Sequence, residues 1–126
     1  VVIRRTAPST KGQRVDLRIT SSTVDERGTS TGTASVIIEV KGCWNEGVDE
    51  SMDTQLVRRY MAESQCQHGV YLVGWFNSEK WDESDHRKGR AGRKTRDALQ
   101  KNLMVQAVHL SDSTRVIRSC VFDCSW

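Results

Sequence analysis

The sequence predicts an α/β domain, a mixed β-sheet flanked by helices. Three observations predict it. Arg14–Ser21 and Ala34–Lys41 alternate apolar and polar residues with the period of a strand. Met52–Gln65 and Gly92–Leu110 carry apolar residues at helical spacing. Gly69–Phe76 is an unbroken apolar block, rich in β-branched and aromatic residues, as a buried central strand requires. Early strands joined by a hairpin and later ones by helices place antiparallel and parallel neighbours in one sheet.

The elements follow in chain order as β, β, β, α, β, α, β. Val1–Arg5 reads as a short strand or the tail of one, and Pro8–Gly12 as a turn or loop. In Arg14–Ser21, Val15, Leu17 and Ile19 share the face expected to be buried, against Asp16, Arg18 and Thr20. Thr23–Thr33, rich in Ser, Thr, Gly and charge, reads as a hairpin loop. In Ala34–Lys41, Val36, Ile38 and Val40 fall on one face, and Ile37, Glu39 and Lys41 on the other. Gly42–Ser51 reads as a loop carrying Trp44. Asp49 or Ser51 is the expected cap of the first helix, whose stripe is Met52, Leu56, Tyr60 and Met61. The connection from Ala34–Lys41 to Gly69–Phe76 is expected to be a parallel, right-handed crossover. A mobile charged segment is expected next. In the last helix Leu99, Leu103, Val105 or Gln106, and Ala107 are expected to face inward. Arg115–Cys124 closes the sheet. Trp75 and Phe76 read as core, and Trp81 as an anchor for the charged segment.

A chain of 126 residues fits one domain, 1–126, long enough to bury a core without staples. No apolar run reaches membrane-spanning length, and no secretory signal is visible, so no membrane partner is expected. The opening Val1-Val2-Ile3 already reads as strand. The expectation is a domain excised from a longer protein, with regulatory or sensor domains upstream. Cys43, Cys66, Cys120 and Cys124 form no CxxC pair and no zinc spacing, so buried free thiols in a reducing cytoplasm are expected.

The net charge of +3 only weakly suggests a polyanionic partner. Its distribution says more. Asn77–His86 is mainly acidic, whereas Arg87–Arg96 holds six cations and no acid. Lys88, Arg90, Arg93 and Lys94 are the candidate phosphate contacts, with a solvated helix face as the bland alternative. Trp44 is a candidate for stacking on a nucleobase, although a loop Trp more often packs.

The sharpest chemistry lies in Asp16 and Glu39-Val40-Lys41. Hairpin pairing of their strands brings both carboxylates to one place. Two hard oxygen ligands suit Mg²⁺ or Mn²⁺. Lys41, on the Glu39 face, could orient a water or offset charge on a phosphate. The bland alternative is a surface ion pair worth little. Ile37 on the same face argues against it, since charge beside buried apolar groups needs a partner.

The blocks VDLRIT, IIEVKGCWNE, TQLVRRYM and GVYLVGWF, in this order, resemble the PD-(D/E)xK nuclease superfamily, with its restriction-endonuclease-like fold. Within it the chain is most similar to nuclease domains of large bacterial proteins, anti-phage defence proteins among them. The resemblance runs from about Val1 to Phe76 and more loosely beyond. It implies a cytoplasmic, Mg²⁺-dependent hydrolase acting on phosphodiester bonds, with DNA favoured. The oligomeric state is left open, although double-strand cleavage would favour a pair of active sites, as in a homo-oligomer. The resemblance also implies Asp16 and Glu39 as metal ligands, the Val40 carbonyl as a further ligand, and Lys41 as the catalytic lysine. Gln55 with Tyr60 resembles the Gln and Tyr that support the site in the exonuclease branch. Two positions depart from the pattern. Val15 stands where Pro is usual. Gln55 and Tyr60 are five residues apart rather than four, which on an α-helix leaves Gln55 alone facing the site and Tyr60 in the core. Two other functions remain open on the same residues: a catalytically silent nucleic-acid-binding or assembly module, and a protein-interaction domain using the basic cluster.

Overall fold

The structure is a computed structural model that describes residues 2–4 and 15–125. Pro8–Gly12 and Arg14 lie outside the described residues. Five strands form one sheet in the order β1 (Val2–Arg4), β2 (Leu17–Val24), β3 (Ser30–Gly42), β4 (His68–Trp75) and β5 (Val116–Asp123). The first three pair antiparallel, and β3–β4 and β4–β5 pair parallel. The domain is therefore α/β with a mixed sheet, and β3 is its central strand.

The hairpin is longer than its composition suggests. Thr23–Thr33 reads as a loop, but β2 runs to Val24 and β3 starts at Ser30. Hydroxyls replace apolar contacts on this exposed ribbon: Thr20 and Ser35 lie 3.0 Å apart, and Thr31 donates to Thr23 at 3.1 Å. Asp25 closes the turn by accepting from the Arg27 and Thr29 amides, with Gly28 at a positive φ of 78°.

Helix α1 has a body, Met52–Met61, wound with i→i+5 hydrogen bonds as a π-helix, and a last α turn, Ala62–Ser64. Met52, Leu56, Val57, Tyr60 and Met61 are its buried residues, which bears out the expected stripe. Neither predicted cap operates. Ser51 makes no side-chain cap, because turns through residues 47–50 run straight into the helix. Asp49 turns away to Lys94 and Asn102.

The segment expected to be mobile is instead built. It forms a 3-10 turn, Ser78–Lys80, and helix α2 (His86–Ala91), with Asn77 and Asp85 as caps. Trp81 anchors it as expected, packing beside Trp44 while its carbonyl accepts from Lys88. Helix α3 (Arg96–Leu110) starts four residues later than predicted, because the Thr95 side chain caps it by accepting from the Ala98 amide. Leu99, Leu103 and Ala107 face inward. Val105 does not. It is exposed beside Met104 and Val108.

The core lies on one sheet face. Ile37, Tyr71, Val73 and Ile117 point into it beneath α1 and α3. Gly69 leaves room there for Met61, whose Sδ would stand 2.5 Å from a Cβ and would have to shift. The other face, with Leu17, Ile19, Ile38, Val70 and Leu72, is only half-buried. This corrects the expectation for Leu17 and Ile19, because the described helices pack on the opposite side. At one end Trp44 and Phe76 lie over Gly42 and Gly74. Trp75 and Phe76 are half-buried and pack against the core. Of the cysteines only Cys43 is buried, and Cys120 is exposed, which corrects the expectation of four buried thiols. Among the described residues no helix is long and apolar enough to cross a membrane.

Candidate active site

Strand alternation sends Ile37, Glu39 and Lys41 to the core side of β3, beneath α1. Glu39 is 2 % exposed. A carboxylate so buried requires partners. One is Lys41, whose Nζ donates to Glu39 Oε1 at 2.5 Å and to Gln55 Oε1 at 2.8 Å. The other carboxylate oxygen, Glu39 Oε2, is buried without a hydrogen-bond partner.

Asp16 lies just before β2, one step beyond the Leu17–Ile38 pair and so opposite Glu39. There the ladder has ended, and Asp16 Oδ2 accepts from the Val40 amide at 2.7 Å. This fixes the second carboxylate beside Glu39. Burial is the main reason the Glu39 carboxyl titrates above its ordinary value. Lys41 opposes that rise, and the negative charge of Asp16 adds to it.

The π-winding settles how α1 meets the strand. Five residues overshoot one face of an α-helix, but they are one hydrogen-bonded step of a π-helix. Gln55 accordingly reaches Lys41, while Tyr60 is buried close enough to Glu39 for the carboxylate to help raise its phenol, after burial itself. Gln55 thus meets Lys41 and Tyr60 lies in the core, as expected from the five-residue spacing.

The residues present suit a divalent cation. Glu39 Oε2 is an orphaned hard oxygen, and Asp16 brings a second anion beside it. The Val40 carbonyl belongs to the residue between Glu39 and Lys41. Among the described residues, the side chains brought together here supply two carboxylates. Among the described residues no group of three or more His, Cys, Asp or Glu gathers to hold a metal.

The candidate nucleic-acid contacts are arranged differently from the sequence expectation. Lys88 pairs with Glu83 at 2.5 Å, Arg90 with Glu46 at 2.5 Å, and Lys94 with Asp49. Arg87 pairs with Asp85 and Arg96 with Asp123. Arg93 is exposed, with no ion pair among the described residues. Trp44 is a packing residue: it lies on Gly42, tilts against Phe76 at 5.1 Å and meets Trp81 edge-on at 5.4 Å. The Arg87 guanidinium sits 5.4 Å from its ring centroid. Compared with protein-family profiles, curated proteins and solved structures, the chain matches none. Sequence reasoning missed Glu46 and the pairing of Asp49, which it read only as a helix cap. Their only signal was acidity in a loop, and their partners lie more than forty positions away.

Proposed function

We propose that the domain is a metal-dependent nuclease of the PD-(D/E)xK type, with a restriction-endonuclease-like core, that hydrolyses phosphodiester bonds in DNA. The observation that carries this reading is the buried, half-unsatisfied carboxylate of Glu39 beside Asp16 and Lys41 on the central strand. A structural ion pair would satisfy both carboxylate oxygens or stand in solvent. Asp16, Glu39 and the Val40 carbonyl would hold Mg²⁺ or Mn²⁺. Such an ion, when bound, lowers the pKa of a water and neutralises phosphate charge.

The chain's own residues do the rest. Asp16 is oriented by the Val40 amide. Gln55 holds the Lys41 ammonium by its amide oxygen, which leaves a third N–H for a substrate oxygen. That ammonium offsets negative charge growing on the phosphate. Tyr60 is buried in the core within electrostatic reach of Glu39. By resemblance, the reading extends to a cytoplasmic effector of bacterial defence, switched by upstream domains of the same chain.

The test is a panel of labelled duplex DNA, single-stranded DNA and RNA, incubated with Mg²⁺, Mn²⁺ or EDTA. Metal-dependent cleavage of DNA, lost in Glu39→Ala, supports the reading. Cleavage of no substrate under any condition sinks it. A second reading, a silent nucleic-acid-binding module on the same fold, is favoured by the small ligand set of two carboxylates. Binding without cleavage would select it.

A further inference from the structure

The six cations of Arg87–Arg96 make a basic segment only in sequence. In space, two of them are held by the loop that follows β3. Glu46 and Asp49 lie five and eight residues after Lys41. Their carboxylates take Arg90 and Lys94, and Asp49 also accepts from Asn102. Between loop and segment is a cavity of about 320 Å³, lined among others by Asn45, Glu46, Asp49, Arg90, Arg93 and Lys94. Arg93 is the exposed cation there without an ion pair among the described residues. The paired groups are themselves accessible: Arg90 and Lys94 are 40 % and 41 % exposed, and Glu46 is 74 % exposed.

We propose that the Glu46–Asp49 loop is an internal mimic of the DNA backbone, holding Arg90 and Lys94 until phosphates displace it. This rests on the nuclease reading for the choice of DNA as the polyanion. Exposed ion pairs cost little to break, so exchange of carboxylate for phosphate is easy. Each exchange frees a carboxylate that takes up cations, which cancels part of the counterion release that drives binding. The loop therefore lowers affinity for DNA and flattens its dependence on salt. It also joins β3, which carries Lys41, to α1, which carries Gln55.

The experiment is fluorescence anisotropy of the 126-residue chain with a labelled DNA duplex, in EDTA, across a salt series. The loop variant is Glu46→Gln/Asp49→Asn. A control, Glu26→Gln/Glu63→Gln, makes the same change in net charge elsewhere. The loop variant should bind about fivefold tighter than the control. Its slope of log affinity on log salt should be steeper by roughly one to two. Adding Arg90→Gln and Lys94→Gln should abolish the gain. An equal gain in the control, a gain that survives loss of both cations, a gain seen with RNA alone, or no DNA binding by any form would each overturn the proposal. Because EDTA prevents metal-dependent cleavage, failure of the nuclease reading appears separately, as binding without hydrolysis once Mg²⁺ is restored.

Discussion

Lys41 Nζ lies 2.5 Å from Glu39 Oε1 on a strand face covered by helices, with Glu39 2 % and Lys41 15 % exposed. Removing the cation leaves a buried carboxylate alone. Lys41→Met should cost about 3 kcal/mol at neutral pH, the lower end for a broken buried pair because Lys41 keeps some solvent. Lys41→Met/Glu39→Gln should recover most of it, since the buried carboxylate left without its cation is then gone. Urea unfolding at fixed pH measures both. A double variant as unstable as the single one would refute the pairing argument.

Divalent cation should stabilise the folded chain, because it satisfies Glu39 Oε2 and separates two carboxylates. At a hundredfold excess over Kd the gain is about 2.7 kcal/mol. Thermal unfolding with and without Mn²⁺ measures it. Asp16→Asn and Glu39→Gln should each lose the shift, and neither should be harmed by EDTA.

Tyr71 anchors the loop after β3: its hydroxyl donates to the Val48 carbonyl at 2.9 Å. Tyr71→Phe should cost about 1–3 kcal/mol, because that buried carbonyl loses its donor. Burial holds the phenol protonated well above its ordinary pKa, and Tyr60 is raised for the same main reason. The folded state thus keeps protons that the unfolded chain releases. Stability is full below about pH 10 and falls as pH rises beyond it. Chemical denaturation on either side of that value should show the fall, smaller in Tyr71→Phe.

Gly42 admits the Trp44 ring, whose atoms would stand 2.5 Å from a Cβ. Gly42→Ala must displace that ring from Phe76 and Trp81, at about 1–3 kcal/mol. Tryptophan fluorescence should shift along with stability. An unchanged spectrum at unchanged stability would count against the packing role of Trp44.

Thiol labelling should rank the cysteines. Cys43 is buried and its thiol is raised, first by burial, so it should react last, while exposed Cys120 reacts early. Mass spectrometry of timed alkylation gives the order.

The site was legible where chemistry follows alternation. Period two alone places Glu39 and Lys41 on one face with Ile37, and the hairpin brings Asp16 opposite. What stayed hidden has physical causes. Met52, Leu56, Tyr60 and Met61 mark a helix without telling α from π winding, so the π-winding of α1 left no pattern to read. The Thr-rich ribbon reads as loop because its strands are held by hydroxyls and not by apolar pairs. Arg90 and Lys94 read as free cations because Glu46 and Asp49 reach them only through the fold. Leu17 and Ile19 read as buried because alternation reports a two-faced strand without saying what covers each face.

The most direct measurement is nicking of supercoiled plasmid by the wild-type chain and by Glu39→Gln, in Mg²⁺ at neutral pH, with folding of both verified by circular dichroism. Nicking by the wild type that falls by at least about a hundredfold in the folded variant, the scale of losing a metal-held water, is the predicted result. Equal nicking by both, or none by a folded wild type in any divalent metal, would contradict an active site on the Asp16–Glu39–Lys41 face.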